Sequence, residues 1–128
     1  MIEKIRNEWN ANCDVPMNDT PTLLHQDQGQ LMAKLIYEEV LELMEAIRND
    51  DIVEVADALG DINYLVLGTV NQYGMHNHFY KVMDEIHRSN MTKLQCGKLI
   101  KREDGKVLKP DTYEAPQLEG IIKTLQKD

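Results

Sequence analysis

Tyr37-Glu38-Glu39-Val40-Leu41-Glu42-Leu43-Met44-Glu45 and, after a short polar interruption, Glu54-Val55-Ala56-Asp57-Ala58-Leu59-Gly60-Asp61 carry the strongest pattern in this 128-residue chain. In each stretch the acids recur at i, i+3 or i+4, so each reads as a helix with its carboxylates on one face. Arg48-Asn49-Asp50-Asp51 lies between them and suits a tight connection between antiparallel helices. The two acidic faces are then expected to meet side by side. That much like charge is unfavourable unless a cation, most simply a divalent metal, sits among it.

Working outward, the helical pattern runs from about 28 to 48, with Met32, Leu35, Ile36, Leu43 and Ile47 on one stripe. Glu39 falls inside that stripe, where an unpaired charge is expensive. The next helix is expected over about 51 to 73. Its row of Glu54, Asp57 and Asp61 runs into Tyr64, Leu65 and Gly68, and beyond Asp61 it is apolar nearly all round. Such a helix belongs at the centre of a core or at an oligomer interface, and Gly74 suits its C-terminal cap. A short amphipathic helix is expected over 2–12 (Ile2, Ile5, Trp9), an irregular stretch over 13–27, and a fourth helix over about 76–91 (Phe79, Val82, Met83, Ile86). Leu99 to Leu108 reads as a small hairpin turning at Asp104-Gly105. Pro110 to Pro116 reads as irregular, and Leu118, Ile121, Ile122 and Leu125 as a short closing helix. The expectation is an all-α fold, four-helix-bundle-like, as one domain over 1–128 with a helical core (1–95) and a C-terminal arm (96–128).

Composition narrows the function. There is no apolar run of about 18 residues and no signal-peptide pattern, which predicts a cytoplasmic protein with no membrane partner. A net charge of −8 argues against binding a nucleic-acid polymer or anionic lipid. The charge is uneven: residues 1–90 hold 6 basic and 16 acidic side chains, and residues 91–128 hold 8 and 6. An acidic, metal-attracting body with a basic tail suits a metal-bound polyphosphate. Cys13 and Cys96 lack metal-ligand spacing and read as reduced thiols.

An all-oxygen ligand set favours Mg²⁺, with Mn²⁺ also suitable. No EF-hand loop is present. A di-iron bundle needs Glu-x-x-His on two helices, and Asp84-Glu85-Ile86-His87 supplies a single Asp-x-x-His. His25, His76 and His78 read as surface or capping residues. Without a P-loop or a Gly-x-Ser-x-Gly elbow, phosphate binding falls to metal and basic side chains.

Glu39-x-x-Glu42 followed by Glu54-x-x-Asp57 resembles the Glu-x-x-Glu / Glu-x-x-Asp signature of the all-α nucleoside triphosphate pyrophosphohydrolases, a superfamily that includes MazG, dimeric dUTPases and phosphoribosyl-ATP pyrophosphohydrolase. Leu35 to Gly68 carries that match. Asp84-Glu85-Ile86-His87-Arg88-Ser89-Asn90-Met91-Thr92-Lys93 and Asp104-Gly105-Lys106-Val107-Leu108-Lys109 resemble the MazG-like, phosphoribosyl-ATP-pyrophosphohydrolase-like branch.

The resemblance implies a MazG-type fold and cleavage of an NTP or dNTP between the α and β phosphorus, giving monophosphate and pyrophosphate. It implies Glu39, Glu42, Glu54 and Asp57 as metal ligands, with Asp61 one turn on as ligand or supporting acid. Glu38 is the candidate to orient or deprotonate the attacking water. Lys93, with Arg88 and Asn90 nearby, would neutralise phosphate charge, and Lys106, Lys109 and Tyr113 could join from the arm. Trp9, Asn12 and Asn71 are candidates for the base pocket. The expected assembly is a homo-oligomer, dimer or tetramer. The alternatives are a non-catalytic metal- or nucleotide-binding helical module and phosphoribosyl-ATP pyrophosphohydrolase proper, with a general nucleotide role preferred over the latter.

Overall fold

The computed structural model describes residues 1–127. Its helices are α1 (Ile2–Lys4), α2 (Gln26–Arg48), α3 (Ile52–Gln72), α4 (Phe79–Met91) and α5 (Glu119–Lys127), with one two-stranded hairpin, β1 (Ile100–Lys101) and β2 (Val107–Leu108). The fold is therefore all-α with a small C-terminal hairpin, as the periodicity predicts. Two compact units emerge, Met1–Asn77 and His78–Asp128. Among the described residues no helix is long and apolar enough to cross a membrane.

The first unit is built on the antiparallel pair α2 and α3. His25 Nδ1 caps α2 by accepting the Asp27 amide at 3.2 Å. The Asp51 carboxylate caps α3, accepting the Val53 and Glu54 amides at 3.1 Å each. Between the helices Asp50 takes φ +51°, a left-handed conformation that Asp tolerates better than most residues. This short connection brings the acid-bearing faces of α2 and α3 together. Ahead of the pair, α1 continues into a π-helical segment (Ile5–Trp9) and a 3₁₀ turn (Asn10–Asn12), so the expected helix over 2–12 is not uniform.

The C-terminal end of α3 is closed by the segment before α2. Asn18 donates to the Gln72 carbonyl from its backbone amide at 3.2 Å and from Nδ2 at 2.9 Å, and Arg6 Nη1 donates to the Asn71 carbonyl at 2.8 Å. A cation at this end also suits the helix dipole. Gly74 turns the chain with φ +75°, and a Cβ there would lie 2.2 Å from the Thr20 carbonyl oxygen. Both the conformation and the space demand glycine. Gly74→Ala is expected to cost at least ~2 kcal/mol of stability, readable as a lower midpoint in urea unfolding.

Ile5, Met32, Ala46, Ala58 and Val70 form the buried apolar core of this unit, alongside the buried polar residues Asn10, Asn71 and Gln72. Ile47 departs from the expected core stripe and is 57% exposed. It lies toward the flank of α2 where Met44 is also exposed, while Ile52 and Leu59 of α3 are exposed as well. The apolar surface of the two helices is wider than one pairing can cover.

The second unit joins α4 to the arm. Ser89, 1% exposed, donates from Oγ to the Glu114 carbonyl at 2.7 Å. Thr92 Oγ1 accepts the Glu114 amide at 2.9 Å, and Glu85 accepts the Gln117 amide at 2.9 Å. These bonds strap the irregular segment to α4. The helix begins at Phe79 rather than near 76 because His78 takes φ +62° immediately before it. The hairpin pairs Ile100 with Leu108 and Lys101 with Val107, about the Asp104-Gly105 turn that the sequence predicts.

Candidate active site

Helix α2 turns Glu39 toward its neighbours on α3 because Glu39 shares the stripe of the buried Met32 and Ala46. One carboxylate oxygen from each of Glu39, Glu42 and Asp61 lies within 4.8 Å of the other two. Glu39 Oε2 is buried and accepts no hydrogen bond among the described residues. Burial pushes the Glu39 carboxyl above its ordinary range, reinforced by a hydrogen bond with Glu42 and by the charges of Glu42, Asp61 and Asp57. An orphaned, buried carboxylate oxygen facing two further carboxylates is uncomfortable with protein atoms alone. A hard divalent cation would satisfy that oxygen and offset the repulsion, so the residues present fit Mg²⁺ or Mn²⁺.

Of the five acids considered as ligands, the structure gathers Glu39, Glu42 and Asp61. Asp57 is close enough for its charge to act on Glu39. Glu54 is not one of the trio; it lines a cleft of about 330 Å³ with Glu42, Glu45, Asn49 and Asp51 at the α2–α3 turn. Glu45 is engaged there by Arg48 Nη2 at 2.5 Å, a bond that holds its carboxyl below the usual range. Glu38 is exposed on α2.

One turn from the trio, a cavity of about 210 Å³ is bordered by Trp9, Asn10, Met32, Tyr64, Gly68 and Gln72, among others. Trp9 meets Tyr64 edge to face, with ring centroids 6.2 Å apart. Asn12 is exposed and donates from Nδ2 to the Glu8 carbonyl at 2.9 Å. Asn71, with no exposed surface, is an internal joint rather than a wall of this cavity: Nδ2 donates to the Ile2 carbonyl at 3.2 Å and to Asn10 Oδ1 at 2.9 Å. The buried polar residues that border the cavity, Asn10 and Gln72, were not among the sequence candidates. Their signal was faint, a polar residue next to a position expected to be buried.

In the second unit Asn90 Oδ1 accepts from Lys93 Nζ at 2.9 Å, and Lys93 and Lys109 stand 5.7 and 4.9 Å from the centroid of the Tyr113 ring. Lys93, Asn90, Lys109 and Tyr113 are thus brought together. Lys106 is exposed at the hairpin, its amide bonded to Asp104. Arg88, expected near phosphate, is engaged by carboxylates. Its guanidinium donates from Nε and Nη2 to Glu85 at 2.9 and 2.7 Å, and from Nη1 to Glu114 at 3.0 Å.

Those bonds, with the Gln117 amide, hold the Glu85 carboxyl down to about 2. A depressed carboxyl contributes stability above its unfolded pKa, and that contribution disappears as pH falls through about 2. Glu85→Gln is expected to flatten this acid limb of the stability–pH curve, measured by denaturant midpoints from pH 5 downward.

A helical pair whose facing carboxylates could hold a divalent ion is the feature the structure offers. The chain matches the phosphoribosyl-ATP pyrophosphohydrolase family over residues 9–90 and belongs to it. The match takes in both acid-bearing helices and the cavity, and ends ahead of Lys93. No curated protein matches the chain.

Proposed function

We propose that this chain is a divalent-metal-dependent pyrophosphohydrolase that cleaves a nucleoside triphosphate between the α and β phosphorus. The observation that carries the reading is the cluster of Glu39, Glu42 and Asp61 with its orphaned Glu39 oxygen, inside the region matched to a pyrophosphohydrolase family. Glu39, Glu42 and Asp61 would hold Mg²⁺ or Mn²⁺, with Asp57 and Glu54 as further ligands or supports. The bound ion would draw charge from the phosphates and lower the pKa of the attacking water.

The protein's own groups take the other roles. Glu38 accepts a proton from water as the water oxygen attacks the α phosphorus. The bond from that phosphorus to the bridging oxygen breaks, and the electron pair leaves with pyrophosphate. Lys93, oriented by Asn90, neutralises charge on the phosphates, with Lys106 and Lys109 as further cations. The exposed apolar flank of Met44, Ile47, Ile52 and Leu59 supports a homo-oligomer.

The family's name supports phosphoribosyl-ATP as substrate more directly than the general NTP or dNTP favoured by sequence alone. The test is a panel of standard NTPs and dNTPs with phosphoribosyl-ATP at saturating Mg²⁺, with products resolved by chromatography. Monophosphate plus pyrophosphate from any member upholds the reaction. Nucleoside diphosphate plus phosphate, or no turnover with either Mg²⁺ or Mn²⁺, overturns it.

A further inference from the structure

Both backbone polar groups of Glu114 are taken by hydroxyls at the C-terminal end of α4. Ser89 Oγ donates to the Glu114 carbonyl at 2.7 Å, and the Glu114 amide donates to Thr92 Oγ1 at 2.9 Å. The Thr92 hydroxyl proton goes to the Ser89 carbonyl at 2.6 Å, which leaves the oxygen's lone pairs for that amide. An irregular segment must satisfy its backbone somewhere, and here one residue of it is fastened from both sides. Thr92 adjoins Lys93 and Glu114 adjoins Tyr113, so the same fastening brings the Tyr113 ring beside the Lys93 ammonium, 5.7 Å from the ring centroid. A turn closed by the Tyr113 amide on the Pro110 carbonyl at 3.0 Å returns Lys109 to that ring, at 4.9 Å. All of these residues lie within the second unit, His78–Asp128.

Two ammonium groups beside one ring repel each other, and a carboxylate would be the ordinary remedy. Among the described residues neither Lys93 nor Lys109 has one. The Glu114 carboxylate, one residue from Tyr113, accepts from Arg88 Nη1 at 3.0 Å. Glu85 accepts from Arg88 Nε and Nη2 at 2.9 and 2.7 Å. Arg88 thus occupies both carboxylates that join α4 to the arm, and the lysines keep their charge for an anion from outside.

From this geometry we infer that Ser89, Thr92 and Arg88 are positioning residues for a diphosphate group. The two hydroxyls set Lys93 and Lys109 about Tyr113, and Arg88 keeps Glu114 from neutralising them. A diphosphate suits the pair because each of its phosphoryl groups offers charged oxygens to one ammonium. The inference rests on the proposed role of these lysines toward the pyrophosphate half of the substrate. It gives Ser89, Thr92 and Arg88 a task that needs no contact with phosphate.

The probe is metal-free inorganic pyrophosphate, titrated calorimetrically into the full chain, so neither a metal nor turnover enters the reading. The parent should bind it at least about tenfold more tightly than orthophosphate, and Lys109→Met should lose about tenfold in Kd. Thr92→Val removes the acceptor at nearly constant volume and should cost about as much, whereas Thr92→Ser should keep the parent's affinity. In the Lys109→Met background Thr92→Val should cost nothing further, because the bond acts through the ring and Lys109. Amide exchange at Glu114 should quicken in Thr92→Val while the α4 amides ahead of Ser89 stay protected. Arg88→Met should weaken binding, and adding Glu114→Gln should restore most of it. Should Thr92→Val fail to fold, Ser89→Ala carries the same comparison. Equal losses in both backgrounds, a Thr92→Ser variant as weak as Thr92→Val, or no preference for pyrophosphate over orthophosphate overturns the inference. An Arg88→Met loss that Glu114→Gln leaves unrestored overturns the part given to Arg88. The substrate panel decides α–β cleavage separately, so either reading can fail while the other stands.

Discussion

Glu39→Gln is expected to raise the melting temperature of the metal-free protein at neutral pH and to abolish the further rise that Mg²⁺ brings to the parent. Both effects come from one environment. Without a cation, Glu39 has a buried oxygen with no partner among the described residues and faces the negative charges of Glu42, Asp61 and Asp57. Replacing its carboxylate by a neutral amide of nearly the same shape relieves repulsion and desolvation together. With Mg²⁺ present the balance reverses, because the amide cannot supply the ligand charge. A ligand at a hundred times its Kd stabilises by about 2.7 kcal/mol, a rise of several degrees for a domain of this size.

The neighbouring acids sharpen that comparison. Asp61→Asn, inside the trio, should lose most of the Mg²⁺-induced rise, whereas Glu54→Gln should keep part of it, because Glu54 stands apart at the α2–α3 turn. Turnover of Glu39→Gln should fall by more than the ~10–100-fold typical of losing an outer partner of a metal site. A parent protein whose melting is indifferent to Mg²⁺ and Mn²⁺, or a Glu39→Gln variant that keeps the full rise, would refute the metal assignment.

How much of this was legible beforehand depends on the range of each interaction. Carboxylates at helical spacing, one of them on an apolar stripe, are visible in a single sequence because periodicity is local. The α2–α3 hairpin follows from the same signal, together with Asn49-Asp50-Asp51 as a connection. Pairings between distant residues left no comparable trace. Glu114, a partner of Arg88, lies 26 residues away, and Gln28, a partner of Gln72, lies 44 residues away. Ile47 failed for another reason: apolar residues span more of α2 than one neighbouring helix can cover, and a stripe read from spacing does not tell which edge stays exposed. Nor could spacing show that Asn71 would be held by Ile2 and Asn10 of the N-terminal segment.

Lys93→Met is expected to lower kcat by about 10²–10³-fold, with KM changing far less. Pyrophosphate leaves with charge that grows along the reaction, so a fixed cation meeting that charge stabilises the transition state more than the bound substrate. Lys93 is suited to the part because its ammonium is hydrogen-bonded to Asn90 Oδ1 and stands beside the Tyr113 ring. A positioned charge needs little reorganisation during the reaction. Lys93→Arg keeps the charge but spreads it over a planar fork, so it should recover only part of the rate. Asn90→Ala should give an intermediate loss by freeing the ammonium. Stability is a separate matter: Lys93 makes a single exposed side-chain hydrogen bond, and its replacement should move the melting temperature little. Steady-state kinetics on whichever substrate the panel yields would measure all three variants. A rise in KM with kcat unchanged would make Lys93 a binding residue alone, and unaltered kinetics would remove it from the reaction.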